Sequence, residues 1–155
     1  MKRIYLVLFT GLCIAIVACN NNAGESSGNS IAKTKADTLF DEVMDGHNVA
    51  MGKMEKLTKA EREVNRLLDS LGKLPAKAQQ AATPYKAKLN TLLGDLKNAE
   101  HSMDEWMKDF SIDTFSQNLE ERVKYLNAEK GKVSQVKNAI LDGLQRTDSL
   151  LKSRF

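Results

Sequence analysis

From about residue 36 to the C-terminus, apolar side chains recur every three or four positions. A 3.6-residue period puts such residues on one face of an α-helix, and the strict alternation that marks a strand is nearly absent. The first long segment scans as heptads. One row carries Phe40, His47, Met54, Glu61 and Leu68, and its partner carries Val43, Ala50, Leu57, Val64 and Leu71, with Met44 and Met51 on the flank. A second segment carries Leu89, Leu96, Met103 and Phe110 beside Tyr85, Leu92, Ala99 and Trp106, widened by Leu93 and Met107. The third is weaker, with Leu119, Leu126, Val133 and Ile140 near Val123, Val136, Leu144 and Leu151. Three amphipathic stripes hide from water by packing on one another.

Two punctuation zones separate the segments. In GKLPAKAQQAATPY, Gly72 suits a helix end, and Thr83-Pro84 suits an N-cap followed by the first helical residue. Pro75 offers an earlier start with a kink at Pro84. In FSIDTFSQ, Thr114 and Gln117 have capping-box spacing, which satisfies two backbone donors of a new helix. The spacing therefore predicts helices over about 36–72, 84–110 and 114–152. The expected fold is all-α: an elongated antiparallel three-helix bundle or coiled coil over residues 36–155, its first helix about 55 Å long. Glu61 interrupts an apolar row. Counted outward from the connections it falls level with Glu129 and Lys130, so it pairs with Lys130, sits in a wet layer, or leans into solvent. Gly46, Gly52, Gly94, Gly131 and Gly143 lie inside the predicted helices, each costing up to about 1 kcal/mol relative to Ala.

The N-terminus has a different character. Lys2 and Arg3 precede an apolar run from Ile4 to Val17 that is too short for a membrane-spanning helix, which needs about 20 residues. A basic start, an apolar run and small residues before its end mark a secretory leader. The run ends Ile16-Val17-Ala18-Cys19 and continues into Asn residues, and this context resembles the lipobox of bacterial lipoproteins. The resemblance implies a leader at 1–18, cleavage after Ala18, and Cys19 acylated by palmitate-type chains. It also implies attachment to the inner or outer membrane of a bacterial cell envelope. One acyl chain holds a protein only marginally, whereas two or three make the attachment stable. Residues 19–35 then read as the lipidated cysteine and a flexible Asn/Ser/Gly tether.

Cleavage would remove Cys13 and leave no thiol besides Cys19. The chain has 23 basic and 20 acidic residues, and losing Lys2 and Arg3 with the leader brings the net charge to about +1. With charges mixed along the remainder, nucleic-acid binding has no electrostatic footprint.

One cluster invites a chemical reading. Met44, His47, Met51 and Met54 share an arc of about 80°. Folding at the first connection brings His47 level with Met103, Trp106, Met107 and Phe110. Thioether and imidazole are ligands for Cu(I) and for haem iron. Methionine also fills gaps against aromatic rings, and Met-rich surfaces suit an adaptable groove for a partner helix or lipid. His101 falls opposite the seam. Neither histidine has Glu-x-x-His spacing, and HExxH, a phosphate-binding glycine loop, a nucleophile elbow and an EF-hand loop are missing. A non-enzymatic protein is the expectation. VMDGHNVAMGKM, SMDEWMKDF and the amphipathic C-terminal segment resemble small lipoproteins labelled "viral A-type inclusion protein"-like, a label that reflects coiled-coil likeness and implies no activity. The sequence thus points to a lipid-anchored structural or interaction module, acting on an envelope protein or on itself. The alternative is a copper or haem carrier using Met44, His47, Met51, Met54, Met103 and Met107.

Overall fold

The computed structural model describes residues 33–153. The leader, Ala18, Cys19 and the tether as far as residue 32 lie outside the described residues. Four helices follow in order: α1 (Lys35–Gly72), α2 (Ala76–Ala81), α3 (Thr83–Asp109) and α4 (Leu119–Lys152). No strand occurs among the described residues.

Helix α1 opens on a capping box. Thr34 Oγ1 accepts from the Asp37 amide at 3.1 Å, and Asp37 Oδ2 accepts from the Thr34 amide at 2.9 Å. The Thr34 hydroxyl, 2.8 Å from Asp37 Oδ2, and next the Thr34 amide hold the exposed Asp37 carboxyl below its ordinary range. The central heptad row of α1 is fully enclosed: Val43, Ala50, Leu57 and Val64 have no exposed surface. Leu39, Ala60 and Leu67 are buried on one side of that row, while Phe40, Met54 and Leu68 pack on the other. The buried stripe is wide because α1 packs on two helices, α3 and α4, and these also pack on each other. Leu89, Leu92, Leu96 and Met103 of α3 and Leu126, Val133 and Ile140 of α4 complete the core. Enclosing each such side chain contributes about 1.5–3 kcal/mol. The surface ion pairs, such as Lys59–Glu55 and Arg66–Glu63, are worth about 0–1 kcal/mol each. Apolar packing therefore dominates the stability.

Side-chain partners give the helix directions. Phe40 meets Phe110, His47 meets Trp106, and Thr58 Oγ1 lies 3.4 Å from Glu100 Oε1, so α3 runs opposite to α1. Trp106 meets Glu129, Asp95 meets Arg146 and Tyr85 meets Leu150, so α4 runs opposite to α3. Glu42 pairs with Lys130 and Lys56 with Asp148, so α1 and α4 are parallel.

Three expectations need correction, and the glycines gain a packing role. Of the two starts the sequence offered, the one after Pro75 occurs, but as a separate short α2 that breaks from α3 at Ala82; Thr83 does not cap, being the first residue of α3, and its Oγ1 donates back to Gln79 O at 3.3 Å. Helix α4 starts at Leu119 rather than Thr114. Its N-cap is Asn118, whose Oδ1 accepts from the Glu121 amide at 3.2 Å. The first turns of α4 run past the end of α3, so that Phe110 meets Tyr125. The level of Glu61 therefore falls well beyond Lys130, and no Glu61–Lys130 pair forms; Lys130 Nζ binds Glu42 Oε2 at 2.8 Å. Nor does Glu61 lean out: it is 9% exposed, facing α3, and its Oε1 has no hydrogen-bond partner. Burial pushes its carboxyl up, Glu100 pushes it further, and Lys97 opposes them. Finally, two interior glycines are close-approach points. A Cβ on Gly46 would lie 3.1 Å from Val133 Cγ1, and one on Gly143 would lie 2.9 Å from Leu96 Cδ2.

Candidate functional site

The residues singled out for chemistry gather where the first half of α1 meets the last turns of α3 and the first turns of α4. Six rings run through this region. Phe40 lies 6.5 Å from Phe110, Phe110 stacks on Trp106 at 4.9 Å, and Trp106 meets the His47 ring at 5.5 Å with a 37° tilt. On the other side Phe110 stacks on Tyr125 at 6.1 Å, and Phe115 meets Tyr125 edge-on at 6.2 Å. Offset and edge contacts of this kind add about 0.5–1.5 kcal/mol beyond the area they bury.

Trp106 is buried, and its indole N–H needs an acceptor. Glu129 Oε2 supplies it at 2.9 Å, while Glu129 Oε1 accepts from Lys132 Nζ at 2.8 Å. Lys132 is held above its ordinary range chiefly by that bond. A buried carboxylate with a partner on each oxygen is far less costly than a lone one. Glu129 thus ties the indole to α4 and reaches water through Lys132.

The methionines divide by burial. Met103 is fully enclosed in the core, and Met54 packs against it. Met44 and His47 are half-buried, while Met51 and Met107 are each 38% exposed. The register set by His47–Trp106 and Phe40–Phe110 puts Met107 opposite Met44, on the flank of α3 that faces α1. The imidazole Nδ1 of His47 lies 3.2 Å from Asn48 Oδ1. The Trp106 ring beside His47 and the enclosure of Met103 make this region largely a packed core, with an open edge at Met51 and Met107. Among the described residues no group of three His, Cys, Asp or Glu is arranged to hold a metal ion. His101 is exposed and lines a shallow depression beside Trp106 with Glu105, Asp109 and Lys132.

The 110–118 connection was not read from sequence as functional. It is tightly held. Arg122 Nη1 donates to Ile112 O at 2.8 Å and to Thr114 O at 3.0 Å, and the Ser111 amide donates to Tyr125 Oη at 2.9 Å. Phe115 sits at φ 57°, the left-handed region that favours glycine, at a cost of about 1–3 kcal/mol. Yet this ordered segment and the first residue of α4 show water three large apolar side chains: Ile112 is 56%, Phe115 49% and Leu119 59% exposed.

At the opposite end an open groove of about 570 Å³ runs between α3 and α4 over Ala87, Leu92 and Leu150. Arg146 on its rim is bound to Asp95 at 2.6 Å and to Asp142 at 3.5 Å, so its charge is answered within the protein.

No protein-family model, curated protein or solved structure matches the chain.

Proposed function

We propose that this chain is a lipid-anchored, non-enzymatic protein of the bacterial cell envelope. Cys19 carries the acyl chains after cleavage behind Ala18. Residues 36–155 form an elongated antiparallel three-helix bundle that serves as a structural or protein-interaction module, through an envelope partner or self-association. The observation that carries the reading is Ile16-Val17-Ala18-Cys19 closing an apolar run behind Lys2 and Arg3. The capped start of α1 at Thr34, fifteen residues after Cys19, supports it by leaving a spacer between lipid and helices. No helix among the described residues is long and apolar enough to cross a membrane. Metabolic labelling with an alkyne palmitate tests this. The native chain should take up label and sediment with membranes, and Cys19→Ser should do neither. Equal labelling of Cys19→Ser would refute the reading.

A second reading, binding of Cu(I) or haem, is favoured by the open edge at Met51 and Met107 beside half-buried Met44 and His47. Titration of the chain beside a His47→Ala, Met51→Leu variant separates the two. Stoichiometric binding that the variant loses would establish a metal or haem carrier. A variant that is merely less stable, with no binding by either chain, is the outcome expected of a packed core.

A further inference from the structure

We propose that Ile112, Phe115 and Leu119 form a seat that presses into the lipid surface carrying the anchor, so that the helices stand on the membrane at a fixed end. The proposal rests on the acylation of Cys19. Three observations carry it. First, the apolar exposure is concentrated: these side chains are 56%, 49% and 59% exposed within eight positions of one another. Clustered apolar surface of this kind marks a contact site more often than scattered apolar residues do. Second, the segment is shaped to present them. Arg122 holds the Ile112 and Thr114 carbonyls, Tyr125 holds the Ser111 amide and the edge of the Phe115 ring, and Phe115 keeps a left-handed backbone. A merely tolerated loop would have no need of so many restraints. Third, the seat lies at the end where the chain leads toward Cys19. Arg122 is close enough to Asp37 in the first turn of α1 to lower its carboxyl, and Phe40 stacks on Phe110.

The length of chain between the lipid and α1 favours a lipid surface over other occupants. Fourteen residues, 19–32, separate the start of the described chain from the lipidated end, and a chain of that length cannot reach beyond about 50 Å. A seat held that near the headgroups meets them at high effective concentration. The charges beside the trio are mixed, with Asp113, Glu120 and Glu121 set against Arg122 and Lys124, so contact is driven by apolar burial rather than by attraction to anionic lipid. The seat should therefore work on neutral phosphatidylcholine and change little with salt.

The test uses the full acylated chain in phosphatidylcholine vesicles, with a nitroxide at Ser116→Cys or, at the far end, at Lys77→Cys. A water-soluble nickel chelate reports exposure. The Ser116 label should be shielded and the Lys77 label open. Ile112→Ser, Phe115→Ser and Leu119→Ser together should remove the shielding, shifting the seated-to-free ratio by about tenfold or more. The triple variant gives up the Phe115–Tyr125 contact and should melt slightly below the parent, while Phe115→Leu with Ile112 and Leu119 intact should lose that ring contact and keep the shielding. A chain that stays on vesicles through Cys19 but shows equal exposure at both labels overturns the seat and leaves the anchor standing. The trio would then be open to a protein partner. A chain that washes from vesicles as readily as Cys19→Ser removes the anchor, and the seat with it.

Discussion

Glu61 has the least settled environment of the ionisable side chains described. Its carboxyl is nearly enclosed, one oxygen has no partner, and Glu100 stands beside it. Folding raises its pKa above the ordinary 4.5, so the folded chain holds the proton more tightly than the unfolded chain. The stabilisation linked to that proton is full below the ordinary value and is lost as pH rises through the folded-state value. Urea unfolding at pH 4 to 8 should show this decline. Glu61→Gln should flatten it and add about 1 kcal/mol or more near neutral pH, because a neutral amide can donate to Glu100. A variant less stable than the parent at pH 7.5 would contradict this account. The glycines give a second contrast. Gly143→Ala drives a methyl against Leu96, which is fully enclosed and has no room to retreat, so it should cost about 1–3 kcal/mol. Gly94 has nothing within 4 Å of the added atom, and Gly94→Ala should gain about 0.5–1 kcal/mol. Thermal melts that rank the two the other way would refute the packing argument.

At the scale of elements, the cap of α4 can be tested directly. Asn118→Ala should cost about 1 kcal/mol and speed hydrogen exchange at residues 119–122, whereas Thr114→Ala should leave both nearly unchanged. Both residues have a capping signal three positions ahead, so spacing alone could not rank them. The deciding fact was tertiary: Arg122 captures two carbonyls of the 110–118 segment, and Phe115 adopts a φ that a helix cannot use. A phenylalanine at that φ has no sequence signature. The start of α2 after Pro75 was open as an alternative, but its separation from α3 was not readable, since six residues with no buried side chain leave no periodic trace. The central row of α1, by contrast, was fully legible because Val43, Ala50, Leu57 and Val64 repeat at seven. The row of Leu39, Ala60 and Leu67 was not, because Gly46 and Lys53 occupy its intervening positions and break the apolar repeat. Within the candidate site, the shared face of Met44, His47, Met51 and Met54 was readable. Which of them would be enclosed was not, since burial depends on how close α3 comes.

At the scale of the helical unit, the parallel course of α1 and α4 governs what the ends can do. The 34 residues of α4 rise about 50 Å. Labels at Lys33 and Lys152 should therefore sit about 50 Å apart by pulsed electron resonance. A distance under half of that would rule out the arrangement of helices. This separation follows from the odd number of long passes. A chain of two or four passes brings both termini back to one end, whereas three passes send them to opposite ends. Anything joined after Lys152 is thus carried a helix length away from whatever holds the N-terminus. Held at its N-terminus as proposed, the unit would act as a standoff, its length in residues setting the height at which the far end is displayed.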